Sequence, residues 1–79
     1  MKLSHASGAG YSNVARGVIT RQPPVRHRSV VAILEGEGLL EGATAVGAGD
    51  LIELVPGESF VLEATSPRLV WVVAPIPEA

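Results

Sequence analysis

Five residues in the first half of the chain have types that could do chemistry together: Tyr11, Arg21, Arg26, His27 and Arg28. Guanidinium forks beside an imidazole and a phenol suit a small anionic or sugar-like ligand, because arginine pairs bidentately with carboxylate and phosphate. The competing reading has the same arginines paired with Glu35, Glu37, Glu53, Glu58 or Glu63 across a sheet, at about 0–1 kcal/mol per exposed pair. The imidazoles open to a metal are His5 and His27. Arg26 and Arg28 flank His27 and repel a divalent cation, and His5 lies in a Gly-, Ser- and Ala-rich start. No serine has a legible His and Asp partner, and a nucleophile needs a base within reach. Glu35 and Glu37 flank a glycine in a turn and read as solvated. Gly47-Ala48-Gly49 leads into a strand, not a helix N-terminus, so it is discounted as a phosphate loop. No catalytic residue, metal ligand or cofactor is assigned.

The elements that must position these residues are strands. No window holds apolar residues at helical spacing, and short β-rich runs alternate with Gly and Pro punctuation. The runs fall at 14–20, 29–35, 38–41, 44–46, 50–55, 59–64 and 68–74, with turn chemistry between them. Seven such strands predict an all-β fold, a small antiparallel barrel or jelly-roll sandwich. Residues 1–12 read as a loose or partner-captured segment and 13–79 as one domain. Two strands are apolar on both faces: Ser29–Leu34 and Leu69–Ala74. A strand with one wet face would alternate, so each needs a second layer, which another subunit can supply. Within Ser59–Ala64, Phe60, Leu62 and Ala64 share the inward face. Trp71, in a Val-rich strand, reads as core or interface, with a ligand-stacking wall as the other reading.

The chain's 79 residues and 47% hydrophobic content bound what this fold can do. A single core of that size seldom supplies more than about 3–5 kcal/mol of net stability. With no cysteine, neither disulfides nor a Cys/His zinc framework can reinforce it. No apolar run approaches the roughly 18 residues of a spanning helix, and the start lacks the apolar core of a signal peptide. A cytoplasmic protein without membrane contact is the expectation. The net charge of −2 hides a split: Lys2, Arg16, Arg21, Arg26 and Arg28 precede Glu35 with no carboxylate among them, and eight carboxylates follow with Arg68 alone. The arginines are spread over strand-like sequence with Tyr11 as their only aromatic, which argues against nucleic acid. The basic part is expected to lie against the acidic body of its own chain or of a partner.

Ala32-Ile33-Leu34-Glu35-Gly36-Glu37-Gly38, then Gly49-Asp50, then Val55-Pro56-Gly57, resembles the core of a cupin. The likeness runs from Arg28 to Pro75, and within cupins it is most similar to the C-terminal module of mannose-6-phosphate isomerases. The resemblance implies tight turns at Gly36-Gly38, Gly49-Asp50 and Pro56-Gly57. It also implies two metal motifs that can be laid on this chain. In the second, the histidine position falls on Phe60 and the asparagine position on Ala64. In the first, which ends at Gly36, the glutamate position falls on Ser29 and the histidines on Val25 and Pro23. A divalent ion needs converging imidazole or carboxylate groups, and these residues supply none.

The resulting expectation is a metal-free, non-catalytic cupin-like module that forms a homodimer. A further role in binding a small anionic or sugar-like molecule, or a protein partner, would use Tyr11, Arg21, Arg26, His27, Arg28, Phe60 and Trp71. The alternative is a small isomerase- or lyase-type enzyme with an atypical metal or arginine-lined site.

Overall fold

The computed structural model of the protein describes residues 10–77. Eight strands follow one another: β1 (Gly10–Ala15), β2 (Ile19–Gln22), β3 (Ser29–Glu35), β4 (Glu37–Leu40), β5 (Thr44–Gly47), β6 (Leu51–Leu54), β7 (Phe60–Ala64) and β8 (Arg68–Pro75). They form two four-stranded antiparallel sheets, in the orders β1-β8-β3-β6 and β2-β7-β4-β5. The expected all-β antiparallel sandwich is what the chain forms.

Strand count differs from the sequence reading at one place. The run 14–20 is two strands in two sheets, parted at Arg16–Val18, where Val18 N–H donates to the Ala15 carbonyl at 3.2 Å. β1 begins at Gly10, so Gly10–Ser12, assigned to the loose segment, pair with Val73, Val72 and Trp71. The remainder of that segment, Met1–Ala9 with Lys2 and His5, lies outside the described residues.

Among the described strands, only β4 and β5 are consecutive neighbours in one sheet; every other connection crosses between sheets. Glu41 and Gly42, with φ of 55° and 70°, turn the β4–β5 hairpin. Positive φ at these two of the three loop residues matches the right-handed twist of the strands. Ala43 N–H closes it on the Leu40 carbonyl at 3.0 Å, and the Glu41 carboxylate accepts from Val61 N–H at 2.8 Å. That second bond ties a strained position to β7.

The tight turns expected at Gly36 and at Pro56-Gly57 carry the chain between sheets and close no hairpin. Gly36 alone separates β3 in one sheet from β4 in the other. Pro56-Gly57 joins β6 in one sheet to β7 in the other, not as a ladder pair. Glu58 N–H closes that turn on the Val55 carbonyl at 3.0 Å, and the Glu58 carboxylate accepts from Val55 N–H at 2.8 Å. Val25 is stapled to the same turn by bonds to Glu58 and from Gly57, at 3.0 and 2.8 Å.

Strand alternation explains the core. Val31 and Ile33 of β3, Leu69, Trp71 and Val73 of β8, and Phe60, Leu62 and Ala64 of β7 are buried between the sheets, with Leu54 and Val46 beside them. The shared inward face of Phe60, Leu62 and Ala64 is as expected. No helix among the described residues is long and apolar enough to cross a membrane.

Candidate functional site

Two surfaces are candidates: the interior between the sheets, where a barrel of this type would hold a ligand, and the outer face of the β1-β8-β3-β6 sheet.

Side chains fill the interior. Phe60 is 2% exposed and Trp71 0%, and both belong to one apolar cluster that Val14, Val25, Leu40 and Ile52 extend. Ser29 is buried, and its hydroxyl donates to the His27 carbonyl at 2.8 Å, which leaves it no role toward the centre. Val25 packs on the core and Pro23 is exposed. Phe60, Ser29, Val25 and Pro23 therefore do not fit a divalent metal. Among the described residues no group of three or more His, Cys, Asp or Glu is placed to hold one. The Trp71 indole N–H is buried without a hydrogen-bond partner among the described groups, a cost of about 1–3 kcal/mol for a donor taken out of water.

The structure does not gather the expected ligand-binding set. Tyr11 pairs with Val72 and stands 65% exposed on the outer face of its sheet. Arg21 pairs with Val61 and is exposed on the opposite sheet. Alternation along β2 turns Thr20 and Gln22 inward, level with Leu62 and Phe60, so Arg21 must turn outward. Arg26, His27 and Arg28 are exposed in the β2–β3 connection. Phe60 and Trp71 are core. Tyr11 and Arg21 thus lie on opposite outer faces and cannot line one pocket with the buried pair. The inward polar positions Ser12, Thr20 and Gln22 escaped the sequence reading because a charged neighbour, Arg21, outweighed them as a candidate. Their signal was the register of β1 and β2, which is invisible before the partner strands are known.

Arg28 pairs with Glu53, one of the pairings expected across the sheet, and Arg68 pairs more loosely with Glu35 at 3.9 Å. The side chains of Arg28 and Glu53 are about half exposed, at 50% and 52%, so solvent screens them. Glu53→Gln is expected to change unfolding free energy by no more than about 1 kcal/mol, measured by urea denaturation. A larger loss would give this pair a structural role that exposed ion pairs lack.

The outer face of the β1-β8-β3-β6 sheet carries an apolar band bordered by Asn13, Glu35, Glu53 and Arg68. Register places Tyr11, Val72, Ala32 and Leu51 in one row across its four strands, and Ala74 and Val30 lead to Glu53 in the next. Tyr11, Leu51 at 70% and Leu34 at 53% are its exposed large apolar side chains. Leu34 protrudes because a register shift between Ile33 and Glu35 interrupts the β3–β8 ladder.

No family model matches the sequence, and no curated protein does. Solved structures do. A cupin protein from Bacteroides fragilis aligns with a TM-score of 0.62 at 12% identity, covering 82% of this chain and 60% of its own. A predicted oxalate decarboxylase from Thermotoga maritima aligns with a TM-score of 0.64 at 23% identity, covering 86% of this chain and 65% of its own. The chain thus spans less than two thirds of the length of either. At these identities the likeness is one of fold, and function is carried by sites, not folds. Two four-stranded sheets, their crossings at Gly36 and Pro56-Gly57, and both alignments agree: this chain has the cupin fold.

Proposed function

We propose that the protein is a non-catalytic, metal-free cupin-like module whose interior serves as a hydrophobic core and whose work is done by association through its surface. The observation that carries this reading is Phe60. It occupies the place a ligating histidine would take and is buried with Leu62 and Ala64 against Trp71's cluster. A metal site needs converging donors and an open coordination position, and an aromatic core offers neither. The activity named for the Thermotoga maritima neighbour is not carried over to this chain. The likeness to the C-terminal module of mannose-6-phosphate isomerases fits a packing role, in which such a module docks on a protein surface.

Any small anionic or sugar-like ligand would have to be taken at the surface, by Arg21, Arg26 or His27, which are exposed. No observation favours the enzyme alternative. Untagged protein, purified with manganese, iron, nickel and zinc supplied, is expected to carry well under one equivalent of any of them by elemental analysis. A stoichiometric metal that survives dialysis would overturn the reading.

A further inference from the structure

Arg68, which is outside the expected ligand set, lines a recess in the surface together with a second polar side chain. Resting on the reading of a module that works through its surface, we propose that Arg68 and Asn13 take the carboxylate of a small organic acid. Its apolar body lies on Pro67 and Ala15.

The recess has a volume of about 480 Å³ and opens beside Asn13, Val14, Ala15, Pro67 and Arg68, where β1 ends against the start of β8. Ala15 pairs with Arg68 and Asn13 with Val70, so Asn13 and Arg68 are diagonal neighbours on the outer face. Such neighbours lie about 7–8 Å apart, within reach of long side chains, and a carboxylate set between them can accept from both. Both side chains have donors to give. The Asn13 side-chain amide makes no hydrogen bond among the described residues. Arg68 Nε stands 3.9 Å from the Glu35 carboxylate, beyond hydrogen-bond reach. Arg16, next in the chain to Ala15, donates from Nε to the Thr65 carbonyl at 3.3 Å, which brings a second guanidinium to the loop that holds Pro67.

An arginine fork suits carboxylate and phosphate alike, and its surroundings choose between them. Glu35 is the acid beside Arg68, whereas Glu37 and Glu63 face outward from the other sheet. Repulsion by Glu35 doubles for a dianion, so a monoanion is preferred to phosphate. Ala15 and Pro67 are exposed and offer aliphatic surface that an ion without a body would leave wet. A recess of this size has room for a single ring or a short chain. Another recess, with Glu37, Leu39, Asp50 and Thr65 in its lining, presents carboxylates and repels the same anion.

The test is a titration of the full chain with sodium benzoate at low ionic strength, followed by heteronuclear NMR at the Asn13 side-chain amide and Arg68 Nε. Both signals are expected to move, with a dissociation constant on the order of 1 mM, as suits a half-exposed site. Arg68→Gln should weaken binding by about tenfold or more. Glu35→Gln should tighten it by about threefold, since it removes a like charge and frees the guanidinium. Arg21→Gln, on the opposite outer face, should leave it unchanged. Benzamide, acetate and inorganic phosphate should each bind wild type at least about fivefold more weakly than benzoate. The side chains of Arg68 and Glu35 are 54% and 57% exposed, so both variants should fold; the benzamide comparison decides the matter on wild type if they do not. Signals that stay still up to about 50 mM benzoate, binding untouched by Arg68→Gln, or benzamide or phosphate held as tightly as benzoate would each overturn the proposal. Metal content is read separately. A stoichiometric metal defeats the non-catalytic reading, whereas metal-free protein that ignores benzoate defeats this site alone.

Discussion

Gly36→Ala is expected to leave the protein unfolded at room temperature. Gly36 is the single residue between β3 and β4, where the chain leaves one sheet for the other, and its φ is +88°. A Cβ there would collide with the carbonyl of Arg68 and with the Ser66 hydroxyl. Neither can retreat cheaply. The Ser66 hydroxyl donates to the Arg68 carbonyl at 2.6 Å and accepts from Glu37 N–H at 2.9 Å, so the crossing and the start of β8 are one hydrogen-bonded unit. The left-handed backbone alone costs an L-residue about 1–3 kcal/mol, and relieving a main-chain collision adds comparable strain. A domain whose net stability is only about 3–5 kcal/mol cannot absorb that sum. Gly42→Ala supplies the control, since Gly42 has φ +70° and a Cβ added to it would meet nothing within 4 Å. It should cost only the backbone term. Trp71, the chain's one tryptophan and fully buried, reports both outcomes by fluorescence. A red-shifted emission with no cooperative urea transition is expected for Gly36→Ala, and a shifted but cooperative transition for Gly42→Ala. A cooperative melt within about 1 kcal/mol of wild type for Gly36→Ala would refute the collision argument.

The fold was legible in the sequence wherever a strand's own residues decide its state. Ser29–Glu35 falls where its β-branched run predicts, and Phe60, Leu62 and Ala64 point inward as a period of two requires. The double apolarity of β3 and β8 likewise marked the two strands that lie at the centre of one sheet. What failed was pairing. Gly36 and Pro56-Gly57 have the composition of hairpin turns, yet a tight turn reverses a chain equally well into its own sheet or into the facing one. The choice is made by long-range partners: β3 pairs with β8 and β6, and β7 with β2 and β4. The candidate site residues are dispersed for the same reason. Tyr11, Arg21, Arg26, His27 and Arg28 are close in sequence, but β1 and β2 belong to different sheets, and the crossing at Arg16–Val18 sends Tyr11 and Arg21 to opposite outer faces. Chemistry-bearing residue types identified which groups were polar. They did not determine which side of a strand each would take.

Phe60→His tests the interior itself, and its expected result is loss of stability with no gain of metal. The substitution puts an imidazole at the position where the resemblance to metal-binding cupins would set a ligand. Phe60 is 2% exposed and packed in the main apolar cluster, so the smaller ring leaves part of its volume empty and brings two nitrogens that need hydrogen-bond partners. The lost burial and the unpaired polar atoms together cost about 2–4 kcal/mol, most of what a domain of this size has. Metal binding could offset such a cost only if other donors converged, since a single imidazole makes a weak site. The other positions are closed: Ser29 is committed to the His27 carbonyl, Val25 packs on the core, and Pro23 has no donor to offer. Zinc or manganese added to Phe60→His should therefore raise its melting temperature no more than it raises that of wild type. Restoration of wild-type stability by one equivalent of metal would show that donors reach the centre after all, and that a single aromatic ring is what keeps the site shut. The expected result would place the obstacle in the whole inner face, where Phe60 and Val25 pack in the core and Ser29 bonds the His27 carbonyl, and not at residue 60 alone.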